Sequence, residues 1–280
     1  MDWLNLLLDL AGLLLWLNWW ALSFAPRARP PHTSLFWTLK VAVPRRSRGW
    51  HFLTGLVGLL GVRSLLYWQL GSALGWTATV NAGALAFPFR SDHLGRMFVF
   101  SWFSFGLALF GFYVWLLLLT VVNRSVSDSD PWQQVVRSHL GKVGRWPAAV
   151  RLLLPALGGT LLWALALEGL ARLGIMSRPE SPAQLWEQAG VLGLHSYLSW
   201  RLLIILVLAL YLVNSYVYLG YSSFWGFING TARNLLAPLS RWRWCWGKVD
   251  FIPLVAIGLV SLLTELAAYG LEALFRRLPL

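Results

Sequence analysis

Six apolar runs, each long enough to cross a bilayer, constrain this chain more than any other feature. They cover residues 3–24, 50–70, 94–122, 150–175, 194–218 and 251–275. A membrane-spanning helix needs about 20 mostly apolar residues. The chain is 58% hydrophobic and only 12% charged, whereas soluble domains carry about 25% charged residues. The sequence therefore predicts an all-α polytopic membrane protein with about six transmembrane helices.

Basic residues are distributed unevenly among the connectors between these runs. Fifteen of the 23 Lys and Arg residues lie in or beside the odd-numbered connectors. The positive-inside rule places such connectors in the cytoplasm. We therefore expect an integral protein of the bacterial inner membrane with both termini outside the cytoplasm. Its basic excess should face anionic lipid headgroups rather than nucleic acid.

Two of the basic connectors have the pattern of amphipathic helices. Asp130 and Pro131 form a helix start, since an Asn or Asp cap followed by proline suits the first turn. Residues 131–142 then carry an apolar stripe, with Arg137 and Lys142 off it. The stripe consists of Trp132, Val135, Val136 and Leu140. We expect this helix to lie on the cytoplasmic membrane surface.

The second amphipathic segment follows the fifth run, and Ser222 or Ser223 can cap it. Arg233 and Asn234 are on its polar face. The apolar face comprises Phe224, Phe227, Ile228, Leu235 and Leu236. Residues 76–90 differ from both segments, because they are apolar but too short to span. We expect them to lie in the outer interface or to fold partly back into the bundle.

The two basic connectors also indicate an internal duplication. At an offset of 96, Arg137 matches Arg233 and Leu140 matches Leu236; after a small insertion, Pro155 matches Pro253. The predicted organisation is an N-terminal two-helix extension over 1–93, followed by helical hairpins over 94–175 and 194–276.

The second hairpin resembles the YggT family of small bacterial and plastid membrane proteins. Residues 232–239 read ARNLLAPL and residues 247–255 read GKVDFIPLV, with Gly247, Asp250 and Pro253 at the motif positions. The resemblance implies a non-enzymatic membrane protein. Members of this family are linked to cell division and envelope organisation, to osmotic tolerance, and in plastids to cofactor assembly on cytochromes.

Two interpretations of this motif stay open. Pro253 suits the first turn of a helix, Asp250 can cap its free N–H groups, and Gly247 permits the turn. The motif is then a helix re-entry. Alternatively it belongs to a partner-docking surface, with Trp242, Trp244 and Trp246 around it.

Three charged residues lie well inside apolar runs: Arg63, Glu168 and Glu265. An unpaired charge at mid-membrane costs about 2.5–3.5 kcal/mol on insertion scales. We expect these residues to pair with one another or to reach a water-filled pocket. They form either an ion or proton path or a buried ion pair that orders the bundle. The leading segment of the chain carries Asp2 and Asp9 and no basic residue, the reverse of the n-region of a signal peptide.

Nothing in the sequence indicates catalysis. The chain has one cysteine and five scattered histidines, and no nucleophile motif such as G-x-S-x-G. We expect no enzyme activity, no metal and no cofactor. The first hypothesis is a YggT-like protein that organises the membrane or envelope, or assembles a membrane complex, through a basic cytoplasmic face. The residues of that face are Trp132, Arg137, Arg233, Arg241, Arg243 and Lys248.

Two alternatives come from other functional classes. An ion channel or transporter would use Arg63, Glu168 and Glu265. An accessory subunit would bind a larger membrane complex, or a second copy of this chain, through its Trp-rich surface.

Overall fold

A computed structural model describes most of the chain. The described residues are 2–24, 49–74, 76–81, 86–91, 93–124, 126, 130–177, 179–217, 222–239, 245–246 and 249–278. The helices are α1 Asp2–Phe24, α2 Trp50–Leu74, α3 Leu94–Val122, α4 Pro131–Leu140, α5 Ala148–Arg172, α6 Pro182–His195, α7 Trp200–Tyr216, α8 Ser223–Leu236 and α9 Ile252–Arg277. The strands are β1 Ala78–Asn81, β2 Ala86–Phe89, β3 Cys245–Trp246 and β4 Val249–Asp250. Two 3-10 turns cover Val143–Arg145 and Ser196–Ser199.

The described residues contain six helical stretches that are long and apolar enough to cross a membrane. They are Trp3–Ser23, Trp50–Gly71, Leu94–Val122, Ala148–Arg172, Pro182–Tyr216 and Ile252–Arg277. The predicted all-α polytopic membrane architecture is therefore confirmed. Helices also form at both amphipathic connectors. Asp130 caps α4 by accepting from the backbone of Trp132 and Gln133, and Ser222 caps α8 by accepting from Trp225.

The predicted start of the fifth span at residue 194 is wrong, because the helix begins at Pro182. Ser181 caps α6 by accepting from the backbone N–H of Gln184. Gln184 and Gln188 interrupt the apolar pattern and conceal the helix in the sequence, yet both are buried. They are buried because α6 packs along α5.

A 3-10 turn separates α6 from α7, and side chains from two other helices meet it. The Ser196 hydroxyl donates to the carbonyl of Pro155 on α5 at 3.0 Å. The Trp115 indole on α3 donates to the carbonyl of Ser199 at 2.9 Å. These two bonds tie the turn to α5 and α3 at the point where the backbone hydrogen bonds of the long fifth span tighten to the 3-10 spacing.

Residues 76–90 contain a pair of strands, β1 and β2, that the sequence did not predict. Burial alternates along them, with Ala78, Val80, Phe87 and Phe89 inward. Pairing two strands satisfies backbone groups that would be costly in an apolar environment.

The chain divides into two compact units, and each has its own core. The first comprises Met1–Ala78 and Arg90–Leu109, and the second comprises Thr79–Phe89 and Phe110–Leu280. In the first unit, α1 packs against α2 around Leu56, Leu60 and Phe105.

The core of the second unit lies where the end of α3 meets α4, α7, α8 and α9. Its buried members are Leu116, Leu117, Leu118, Val136, Leu140, Leu203, Val207, Leu208, Phe227, Ile228, Ala232, Leu236 and Ala256. Leu140 and Leu236, which the predicted duplication matches, both belong to this cluster. The duplication itself stays a prediction.

Candidate functional site

Arg63 lies near the middle of α2 and has no exposed surface. One guanidinium nitrogen, Nη1, donates to Oδ1 of Asp9 on α1 at 2.6 Å. The other, Nη2, donates to the hydroxyl of Ser104 at 2.9 Å and also to Oδ1 of Asn5. The cation is therefore neutralised by a carboxylate and solvated by two further polar side chains.

Aromatic rings complete this site. The Arg63 guanidinium carbon lies 5.6 Å from the ring centroid of Tyr67 and 5.7 Å from that of Phe100. A cation over an aromatic face is attracted by the ring quadrupole. The Tyr67 hydroxyl donates to the same Asn5 oxygen at 2.9 Å. All the residues of this site belong to the first unit: Asn5, Asp9, Arg63, Tyr67, Phe100 and Ser104.

The first of the two expectations for the intramembrane charges, that they pair with one another, is wrong for the ion pairs that the structure shows. Arg63 binds Asp9, whereas Glu168 forms a 2.9 Å ion pair with Arg172 on its own helix. Glu265 on α9 forms a 2.5 Å ion pair with Arg201 on α7. The sequence pattern shows which positions are charged. It does not show the depth of each helix or its rotation about its own axis, and these decide which charged side chains meet.

Glu168 also borders a cavity of about 400 Å³ at the α5–α6 connection. Its lining consists of Glu168, Pro179, Glu180, Ser181, Pro182 and Leu185. Two carboxylates are fewer ligands than a protein metal site usually supplies. Over the described ranges of the chain, no three His, Cys, Asp or Glu side chains are grouped so that they could hold a metal ion.

A second polar cluster joins both amphipathic helices to the end of α3. Asn123 is fully buried, and its Nδ2 donates to the hydroxyl of Thr231 on α8 at 2.8 Å. Asn234 of α8 donates to Oδ1 of Asn123 at 3.2 Å. From α4, Nε2 of Gln133 reaches the Asn123 carbonyl at 3.5 Å. Sequence reasoning missed Asn123, whose signal is a carboxamide at the end of a long apolar run.

The predicted apolar stripe of α4 is only half buried. Val136 and Leu140 enter the core, while Trp132 and Val135 are exposed, and the polar Gln133 is buried instead. In this inward position Nε2 of Gln133 reaches the Asn123 carbonyl. On the outer side, the Trp132 ring lies 5.4 Å from that of Phe224 on α8.

Trp132, Arg137 and Arg233 define what we call the basic face. Arg137 is half-buried on α4, and Arg233 is exposed on α8. Asn123 contacts both helices, so these side chains stand on two helices that are anchored at the same end of α3. Arg241, Arg243 and Lys248 were predicted for the same face, and they lie outside the described residues.

The motif that carries the family resemblance is described in part. The backbone of Asp250 belongs to β4 and pairs with Cys245. The N-cap residue of α9 is Phe251, not Asp250, and it makes no side-chain cap hydrogen bond. Pro253 lies in the first turn of α9, as expected, and is buried. Gly247 lies outside the described residues.

Comparisons of this chain with family models, with curated proteins and with solved structures find no match.

Proposed function

We propose that this integral membrane protein organises its membrane, or assembles a membrane complex, by binding a partner at the basic face. The proposal includes the cytoplasmic orientation of this face, the inner membrane location and the YggT-like character of the second hairpin. The protein performs no chemistry of its own in this proposal.

The observation that carries the proposal is the Asn123 cluster. Short amphipathic helices that only float on a bilayer need no polar anchor to a spanning helix. Here one buried carboxamide binds α8 through Thr231 and Asn234 and α4 through Gln133. Buried hydrogen bonds of this kind fix relative position. They support a rigid platform that presents Trp132 and Arg233 together.

The surroundings of Arg63 favour a structural role over an ion path. Arg63 is enclosed by Asp9, Asn5, Ser104 and aromatic rings. A path needs polar groups that face water, whereas these groups face one another. We expect liposomes carrying the protein to show no ion flux above that of empty liposomes. Flux that Glu265→Gln alters would favour the channel alternative.

The test is capture of the partner from native membranes. A variant with Arg137, Arg233, Arg241 and Arg243 all changed to Gln loses about 1 kcal/mol per residue of attraction to an anionic surface. It should lose the partners that the wild-type protein retains in affinity purification and mass spectrometry. The matched control changes four arginines outside the basic connectors to Gln. These are Arg90, Arg172, Arg276 and Arg277. Equal capture by both variants contradicts the proposal.

A specific observation favours a second candidate, in which the protein is a subunit of a larger membrane assembly. The ion pair between Arg201 and Glu265 lies near the middle of α9, with 40% and 64% of the two side chains exposed. Charges exposed to hydrocarbon are costly. A partner helix that covered this pair would remove that cost and so stabilise the assembly. Co-purification in mild detergent that is lost in the Arg201→Leu/Glu265→Leu variant would support this candidate.

A further inference from the structure

The ion pair between Arg201 and Glu265 is exposed at a depth where charges are normally enclosed. Helix α9 runs from Ile252 to Arg277, so Glu265 has at least 12 residues on either side of it, which is about 18 Å of helix. Its Oε1 accepts from Nη1 of Arg201 on α7, yet 64% of the Glu265 side chain and 40% of the Arg201 side chain stay exposed. Ionisable side chains within a bilayer almost always face protein or water. This pair therefore needs a cover that the described residues of one chain do not supply.

Uncovered residues continue along the same side of α9 in both directions from Glu265. Gly258, Leu262, Glu265 and Tyr269 follow one another at intervals of three or four residues, and all four are exposed. Residues with this spacing share one face of a helix, which we call the α9 face. A Cβ added at Gly258 would meet no described atom within 4 Å. The Arg201 guanidinium on α7 lies beside this face, because it bonds to Glu265. The α9 face is therefore an open surface with a charged pair at its centre.

The order of the two charges makes this surface complementary to itself. Arg201 and Glu265 lie at nearly the same depth on two different helices, because their charged atoms are 2.5 Å apart. Two copies that insert in the same direction can be related by a two-fold axis along the membrane normal. That rotation keeps each group at its depth and reverses the lateral order of the two charges. Arg201 of one copy then faces Glu265 of the other, and the four charges alternate in sign. An unrelated partner would have to present a matching acid and base at the same depth.

We propose that the α9 face binds a second copy of this chain, with reciprocal ion pairs between Arg201 of each copy and Glu265 of the other. Association encloses the four charges and so removes the cost of exposing them to hydrocarbon. It also packs Leu262 and Tyr269 against protein, and such packing contributes to helix association in membranes. This inference names the partner in the second candidate function. It rests on that candidate only in taking the exposed pair to be covered by protein.

The test uses a charge exchange that keeps an ion pair within each chain. Full-length chains with two different tags are co-expressed, one tag is captured in mild detergent, and the other is quantified. The wild-type protein should capture itself, and the Arg201→Glu/Glu265→Arg chain should capture itself equally well. A wild-type and an exchanged copy would place like charges opposite each other at both positions. Their mixed capture should therefore fall by at least about tenfold, since like charges facing each other across an interface oppose association.

The matched control exchanges the exposed ion pair at the end of α9. The Glu272→Arg/Arg276→Glu chain keeps that pair within itself and should still be captured by the wild-type protein. If the Arg201→Glu/Glu265→Arg chain fails to fold, Glu265→Gln takes its place, because it removes one charge and keeps the shape. Glu265→Gln should weaken self-capture about tenfold, as it removes both reciprocal ion pairs, whereas Glu272→Gln should leave self-capture unchanged.

The outcomes separate this inference from the candidate on which it rests. Mixed capture as strong as wild-type self-capture, or undiminished self-capture by Glu265→Gln, would overturn the reciprocal pairing. Absence of capture between wild-type copies would overturn the second copy as the partner. The second candidate function survives that last result if other membrane proteins co-purify with the wild-type chain and are lost in Arg201→Leu/Glu265→Leu.

Discussion

Arg63 on α2 donates a 2.6 Å hydrogen bond to Asp9 on α1, although 54 residues separate them in the chain. Arg63 has no exposed surface, and the Asp9 side chain is 16% exposed. Within a bilayer, helices gain little from apolar burial against one another, because lipid is as apolar as leucine. The polar contact is therefore the specific interaction that fixes α1 against α2.

Replacing Asp9 and replacing Arg63 should lower the free energy of unfolding by different amounts. Asp9→Leu leaves a buried guanidinium that cannot lose its proton, and breaking such a pair costs about 3–5 kcal/mol. Arg63→Met should cost less, because a lone aspartate can become protonated. The Asp9→Leu/Arg63→Met double variant should be more stable than Asp9→Leu alone. Thermal unfolding in detergent, followed by tryptophan fluorescence, measures all three.

Glu272→Gln is the control for this comparison. It removes an exposed pair with Arg276 at the end of α9, and an exposed i, i+4 pair contributes about 0.3–0.5 kcal/mol. An Asp9→Leu variant as stable as Glu272→Gln would show that the buried pair does not hold α1 in place.

The Asn123 cluster predicts a local loosening of α8. Thr231 accepts from Asn123 at 2.8 Å and donates to the carbonyl of Phe227 at 2.8 Å. Thr231→Val keeps the shape but leaves the buried Asn123 amide without that acceptor, at a cost of about 1–3 kcal/mol. Amide hydrogen exchange in nanodiscs should then speed up across α8.

Thr264→Val tests whether the loss of any threonine hydroxyl has the same effect. The Thr264 hydroxyl bonds to carbonyls of its own helix, at Val260 and Ser261, and it joins no second helix in those bonds. We expect exchange in α8 to match the wild-type rate. If amide exchange in α8 also speeds up in Thr264→Val, the lost bond to Asn123 does not explain the effect of Thr231→Val.

Local sequence signals predicted most of the helices for identifiable reasons. The length and composition of an apolar run are enough to predict a membrane span, whichever helices pack against it. Asp130 and Ser222 mark helix starts because a cap acts on backbone only two or three residues away. The same local chemistry placed Pro253 in the first turn of α9.

What the sequence could not supply depends on tertiary packing. Asp9 entered the sequence argument only as a residue unlike a signal peptide, and its role requires knowing that it meets Arg63. The early start of the fifth span was concealed because Gln184 and Gln188 are polar, yet packing against α5 buries both. The rotation of Gln133 into the core has the same origin.

The ion pair between Arg201 and Glu265 predicts a charge-exchange result. The pair joins α7 to α9 at 2.5 Å. Arg201→Gln leaves Glu265 without this partner in a spanning segment, where an unpaired charge costs about 2.5–3.5 kcal/mol. The Arg201→Glu/Glu265→Arg variant should recover most of the lost stability, because opposite charges again face each other. Melting temperatures in nanodiscs measure the recovery, and a swap no better than Arg201→Gln would contradict the pairing.

The close contact of α5 with α6 at Gly159 and Gly193 gives the last prediction. A Cβ added at Gly193 would lie 2.5 Å from the backbone nitrogen of Thr160 and 2.8 Å from the carbonyl oxygen of Ala156. Backbone atoms cannot rotate away, so Gly193→Ala must push the helices apart, at a cost of about 1–3 kcal/mol. Gly190→Ala, on the same helix, meets nothing within 4 Å and should stabilise the helix by about 0.5–1 kcal/mol. If the close contact of α5 with α6 decides the effect, Gly193→Ala should lower the melting temperature and Gly190→Ala should raise it. Shifts of the same sign would mean that helix propensity rather than packing decides the effect at this position.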